Sequence, residues 1–132
     1  MSAAITTIQQ NPRTGAVVLP VVFSIFDKWG LTGSEKMTLL GLVNERTLYN
    51  WIGQPGKASL TPDAIERISY ILGIFKALEI LLPDPDIADR WLSTPNDNSF
   101  FNGTAPKERM LAGMVVDLAA VRSFLDNPRG IW

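Results

Sequence analysis

An all-α fold is predicted from three observations. Apolar residues recur at intervals of three and four along most of the chain, as helices with a buried stripe require. The segments marked in this way begin with Thr, Asn or Asp followed by Pro or Glu, and they end at Gly or Pro. Strand-like alternation never persists beyond a few residues, and there is no internal repeat.

Each element follows from its own residues. Residues 1–15 are rich in Ser, Thr, Gln and Ala without apolar periodicity, and read as a flexible arm. Pro20 opens a first helix in which Val22, Phe23, Phe26 and Trp29 repeat at helical spacing, and Gly30 ends it. Thr32-Gly-Ser-Glu35 fits a capping box, so a helix is expected from Gly33 to Leu40 with Met37, Leu39 and Leu40 inward. Gly41 permits a sharp turn, and Asn44 caps a helix over 45–52 that turns Leu48, Trp51 and Ile52 to the core.

Gln54 to Ser59 is turn material and the expected boundary between one part spanning 16–58 and another spanning 59–132. Thr61-Pro62 launches the longest helix, to about Leu82, with Ile65, Ile68, Leu72, Phe75, Leu78 and Leu82 inward. Ile71, Ile74, Ile80 and Leu81 widen its apolar arc, which predicts burial on several sides, as in a homodimer. Asp84-Pro85 starts a helix ending near Trp91-Leu92. The loop from Thr94 to Thr104 carries Phe100-Phe101, so it is expected to fold back on the domain. Two last helices run from Ala105 to about Ala112 and from Met114 to Asn127, with Leu111, Met114, Val115, Leu118, Val121 and Leu125 in step. Pro128 stops the second and leaves the tail Arg129-Gly130-Ile131-Trp132.

Composition narrows the function classes. The 132 residues contain neither Cys nor His, which excludes disulfides, Cys/His zinc sites, thiol nucleophiles and imidazole catalysis and favours a binding protein. The net charge of −1 conceals a split: residues 1–60 carry five bases and three acids, while residues 61–132 carry seven bases and ten acids. A basic front and an acidic rear suit two different partners, one of them a polyanion. No stretch reads as a membrane span or an export signal, so a cytoplasmic protein is expected.

Three constellations stand out. Thr32 to Ile52 has the layout of a helix-turn-helix, whose second helix directs Arg46, Tyr49 and Asn50 outward. Arg46 and Asn50 lie one turn apart, and these side chains make bidentate bonds to guanine and adenine. An αα-hairpin with an ordinary solvated face is the plainer reading of the same residues. The turn from Gly41 to Asn44 contains two apolar residues, one more than is usual. Asp84, Asp86 and Asp89 fail the calcium-loop pattern and are read as helix-start acids, so no metal or cofactor is expected. An enzyme built on Asp84, Asp86 or Glu79 lacks a second polar cluster at compatible spacing. Arg122, Arg129 and Trp132 have the chemistry of interface anchors, with docking of the tail on its own domain as the alternative.

These features in their order and spacing resemble the Xre/MbcA/ParS antitoxin family, in the branch encoded with RES-domain toxins. The resemblance rests on Thr47-Leu-Tyr-Asn-Trp51, Glu66-Arg67-Ile68-Ser69, Trp91-Leu92, Pro95-Asn96, Phe101, Gly103, Met110-Leu111, Gly113, Asp117-Leu118, Val121-Arg122, Phe124-Leu125-Asp126 and Arg129-Gly130. It implies a non-enzymatic antitoxin that represses its own operon and blocks the cleft of an NAD⁺-degrading toxin. By position, it implies that Arg46, Thr47, Tyr49, Asn50 and Lys57 meet operator DNA. It likewise implies that Trp91, Asn96, Phe101, Arg122, Asp126, Arg129, Gly130, Ile131 and Trp132 meet the toxin. Ile131 stands where the branch commonly has a second Gly. A regulator acting alone, whose rear part serves dimerisation or ligand sensing, is the alternative.

Overall fold

A computed structural model describes residues 14–127 and is all-α, with seven α-helices, two 3₁₀ turns and no strand among the described residues. The chain divides into two compact units, up to Ser69 and from Tyr70 onward. The division falls inside the longest helix, and the Gln54 to Ser59 turn lies within the first unit.

In the first unit, α1 (Thr14–Lys28) buries Gly15, Leu19, Val22, Ile25 and Phe26. Pro20 does not open this helix; it sits inside it. A proline in a helix loses its own N–H bond and crowds the preceding turn. Pro20 is exposed, and Gly15, Leu19 and Val22 carry the buried stripe past it. The helix ends at Gly30 (φ 67°), where Leu31 N–H donates to Phe26 O at 3.1 Å in a Schellman-type closure. Trp29 and Leu31 are buried just beyond.

Both expected caps of the next two helices form. In α2 (Gly33–Leu40), the Thr32 hydroxyl accepts from Glu35 N–H at 3.1 Å and the Glu35 carboxylate accepts from Thr32 N–H at 2.9 Å. Leu39 and Leu40 are buried, while Met37 is only partly so. In α3 (Glu45–Gly53), Asn44 Oδ1 accepts from Arg46 N–H at 2.8 Å. Leu48 and Trp51 face the core, but Ile52 is exposed, because it lies on the flank of their stripe in the last turn of a short helix.

A 3₁₀ turn, Pro55–Lys57, packs on the start of α1. A Cβ on Gly15 would lie 2.5 Å from the Pro55 carbonyl oxygen, so only glycine admits this approach. Helix α4 (Pro62–Leu81) then starts where Thr61 Oγ1 accepts from Ala64 N–H at 3.1 Å.

The second unit begins within α4. Its core side is Ile71, Ile74, Ala77 and Leu78, whereas Leu72 and Phe75 are half-buried and Ile80 and Leu81 exposed. Of the expected inward residues Ile65, Ile68 and Leu78 are buried, while Leu72 and Phe75 yield to Ile71 and Ile74: with apolar residues all round, neighbours and not periodicity choose the buried side. Helix α5 (Pro85–Arg90) is capped by Asp84, whose Oδ1 accepts from Asp86 N–H at 2.9 Å, and the 3₁₀ turn Trp91–Ser93 continues it. Helices α6 (Pro106–Met110) and α7 (Val115–Leu125) are shorter than expected. Positive φ at Gly113 breaks the chain between them and leaves Met114 as an exposed cap residue. No helix of the described residues is long and apolar enough to cross a membrane.

Gly15→Ala is expected to destabilise the protein by about 1–3 kcal/mol, since the Pro55 carbonyl must move. Urea denaturation checks this; Gly53→Ala, where a Cβ meets nothing, is the control.

Candidate functional site

The turn between α2 and α3 is built around a left-handed glycine. Gly41 (φ 72°) closes α2, and Leu42 N–H donates to Met37 O at 2.9 Å. Val43, the additional residue of this turn, is 98% exposed, so the extra length is spent towards solvent. Beneath the turn lies Arg67, only 8% exposed. Its guanidinium donates from Nε to Asp63 Oδ2 at 2.8 Å and from NH1 to the Thr38 carbonyl at 3.3 Å, one of the last carbonyls of α2. A Cβ on Gly41 would lie 2.8 Å from Arg67 Nε. Glycine is thus required twice there, for its φ and for the cation it covers.

That turn fixes how α3 is presented. Arg46, Tyr49, Asn50 and Lys57 are exposed and Thr47 is half-buried. Thr47, Asn50 and Lys57 share one hollow of 330 Å³ with Gln54 and Ser59, while Arg46 and Tyr49 lie outside its lining. Gln54 and Ser59 were not singled out in the sequence. Gln54 is the C-cap of α3, its N–H donating to the Asn50 carbonyl at 2.8 Å, whereas Ser59 reaches the hollow only through the 3₁₀ turn that follows.

The second unit gathers residues far apart in sequence. Trp91, Phe100, Phe101 and Phe124 form an aromatic cluster: Trp91 meets Phe101 edge-on at 5.8 Å and stacks on Phe124 at 6.2 Å, and Phe101 meets Phe124 at 4.7 Å. Phe101 is 4% exposed and acts through its neighbours; Phe100 is 42% exposed and forms the open side. The loop is held back as its aromatic pair suggested. Asn96 exchanges backbone bonds with Gly103 and Thr104, each at 3.0 Å, around a left-handed Asn102-Gly103 pair. The Asn96 side chain accepts from Asn98 N–H at 2.9 Å.

Arg109 stands beside this open side, its guanidinium carbon 5.6 Å from the Phe100 ring centre. Its Nε donates to Asp117 Oδ1 at 2.9 Å, and Asp117 Oδ2 accepts from Met114 N–H at 3.0 Å. Sequence reading missed Arg109; a cation at this spacing from an aromatic is visible only once the loop is folded. Arg122 donates to the Gly73 carbonyl and pairs with Asp126 at 3.3 Å. Arg129, Gly130, Ile131 and Trp132 lie outside the described residues. No group of His, Cys, Asp or Glu among the described residues is arranged to hold a metal ion.

Residues 11–73 match a family model described as an antitoxin Xre-like helix-turn-helix domain. Residues 77–130 match one described as the antitoxin Xre/MbcA/ParS C-terminal toxin-binding domain. The chain is also 41% identical over 112 residues, 85% of its own length and 84% of the relative's, to "Uncharacterized protein y4oB" of Sinorhizobium fredii (strain NBRC 101917 / NGR234). No solved structure matches.

Arg67→Met retains the buried stem and removes the bonds to Asp63 and Thr38. A loss of about 1.5–3 kcal/mol is expected by urea denaturation, since hydrogen bonds from a charged group are lost; the Thr38 carbonyl keeps the Gly41 N–H at 3.2 Å. The amide resonances of Gly41 and Leu42 should shift most.

Proposed function

Because the chain belongs to the Xre/MbcA/ParS family of antitoxins, we propose that it neutralises a RES-domain toxin that degrades NAD⁺ and represses its own operon as a homodimer. The toxin is held inactive by obstruction of its nucleotide cleft, and the chemistry belongs to that partner.

The observation that carries the toxin half is the aromatic cluster. Trp91, Phe101 and Phe124, separated in sequence and all part of the pattern shared with the RES-associated branch, come together in one place. Phe100 and Arg109 stand at its open side. An aromatic ring beside an arginine is the composition that dominates binding energy at protein interfaces. In this reading the cluster seats the toxin, Arg122 and Asp126 frame the end of α7, and Arg129 to Trp132 enter the cleft. The acidic balance of residues 61–132 steers the antitoxin to a cleft that must attract NAD⁺ phosphates.

For DNA, Arg46 and Asn50 supply base contacts, Tyr49 and Thr47 flank them, and Lys57 meets phosphate beside the hollow. Pairing of two copies suits the paired half-sites that helix-turn-helix proteins read.

Substituting both Arg46 and Asn50 by Ala should weaken retardation of the operon's own promoter fragment by at least about tenfold. Lys57→Ala should weaken all DNA alike and reduce the slope of log K against log salt by about 1. Wild-type retardation by the double variant rejects this face.

On the toxin side, co-purification with the neighbouring gene product should yield a complex without NAD⁺ consumption. Replacing Phe100 and Arg109 by Ala should raise the dissociation rate. Removing residues 129–132 should leave the melting midpoint unchanged and weaken inhibition. A shortened chain that inhibits fully at one equivalent refutes cleft insertion, and DNA binding with no protein partner favours a regulator acting alone.

A further inference from the structure

Val43 is 98% exposed, more than any other large hydrophobic side chain among the described residues. It directly precedes Asn44, the N-cap of α3. An apolar residue in that place ordinarily packs on the fourth residue of the helix and so fixes how the chain enters it. Here the fourth residue is Leu48, which is 1% exposed and is covered without help from Val43. This staple is not formed, and Arg67 beneath Gly41 ties the turn down in its place. Val43 therefore does no packing for the fold.

The turn nevertheless holds Val43 in a defined position. On one side Leu42 N–H donates to Met37 O at 2.9 Å, and on the other Asn44 Oδ1 accepts from Arg46 N–H at 2.8 Å. A valine has a single side-chain torsion, stiffened by its branched Cβ, so little freedom remains to be lost on contact. Val43 also stands at the end of α3 that carries Arg46, the end by which a recognition helix meets base edges. Those edges are polar in the major groove except for one alkyl group, the C5-methyl of thymine.

We propose that Val43 reads a thymine methyl in the operator, beside the bases met by Arg46 and Asn50. The proposal rests on the DNA reading of α3 in the previous section and adds a specificity-determining residue to it. The residue that lengthens the turn, directed to solvent in the free chain, becomes the apolar end of the reading face. A valine pressed on the amino group of cytosine would strip water from it and return no hydrogen bond, so the contact selects between bases as well as adding affinity. A methyl buried against an aliphatic side chain changes affinity about fourfold for each contact made.

The experiment pairs a change in the full-length protein with a change in the DNA. Retardation of the operon's own promoter fragment is compared with that of the same fragment carrying deoxyuridine at every thymidine position, which removes the methyls and keeps the pairing with adenine. Both fragments are synthesised without 5-methylcytosine, so thymine is the sole source of the group. The wild-type chain is expected to bind the uracil fragment about fourfold more weakly for each Val43 contact. Val43→Ser should lose that factor on the thymine fragment and show a uracil penalty smaller by the same factor, and Val43→Ile should keep the wild-type preference. Val43 is exposed, so neither change threatens folding, and an unchanged melting midpoint documents this. Methyl contacts made by other residues are common to both proteins and cancel in the comparison. Equal uracil penalties in the wild type and Val43→Ser overturn the proposal, as does a wild-type chain that binds both fragments alike. A Val43→Ser chain that keeps wild-type DNA affinity and loses its co-purifying protein partner assigns the valine to that partner and overturns it equally. Failure of the wild-type chain to retard any fragment rejects the DNA reading as a whole, whereas retardation without a thymine preference that depends on Val43 overturns this proposal and leaves that reading standing.

Discussion

The turn of the helix-turn-helix is held by a cation that has almost no water around it. Arg67 projects from α4 under Gly41, bonds the Thr38 carbonyl at the end of α2 and is paired with Asp63 one turn before it. A guanidinium this buried is costly unless its donors are met, and here they are met by an acid and by the carbonyl end of a helix dipole. The same contact sets the entry angle of α3, because Gly41 is the last residue before the chain turns towards Asn44. With the turn tied down, its extra residue Val43 is accommodated in solvent and displaces nothing in the core.

The second unit uses the same device with different parts. Arg122 donates to the carbonyl of Gly73 in the middle of α4, where a Cβ would lie 3.0 Å from Arg122 Nε. Glycine inside a helix costs about 0.5–1 kcal/mol relative to Ala, so its presence here calls for a packing reason, and the arginine provides one. Each unit thus joins an arginine to a backbone carbonyl across a glycine. The two glycines differ in kind: Gly41 is needed for its φ as well as for space, Gly73 for space alone.

Helix starts were legible in the sequence because capping is local. Thr32 with Glu35, Asn44, Thr61 before Pro62 and Asp84 before Pro85 all cap as their spacing predicts. What stayed hidden depends on distant neighbours. Pro20 is the strongest local break signal in the front half, yet α1 runs through it, because the buried stripe on the opposite side continues from Gly15 to Phe26. On α4 the apolar residues surround the helix, so no periodicity could tell Ile71 and Ile74, which are buried, from Leu72 and Phe75. Nor could charge identify Arg67 and Asp117 as buried, since a charged residue declares its burial only through its partners. The outward face of α3 was readable from Leu48 and Trp51, and Gln54 lies one turn beyond Asn50 on the same helix, whereas Ser59 required the packing of the 3₁₀ turn.

Arg109 and Phe100 gain their weight in the proposed interface from what fixes them beforehand. A long side chain that orders only on binding loses about 0.5–1.5 kcal/mol in doing so. Arg109 is already anchored through Nε to Asp117, and Asp117 is itself held by the Met114 amide at the start of α7. Phe100 rests edge-on against Phe101 at 4.9 Å and tilted against Phe124 at 5.3 Å, so its ring is also placed in advance. The bond to Asp117 occupies the Nε side of the guanidinium, and the two terminal amino groups are the part a partner's carboxylate or carbonyl would meet. Loosening Asp117 should therefore weaken binding through disorder in Arg109, even though Asp117 is buried and touches no partner itself.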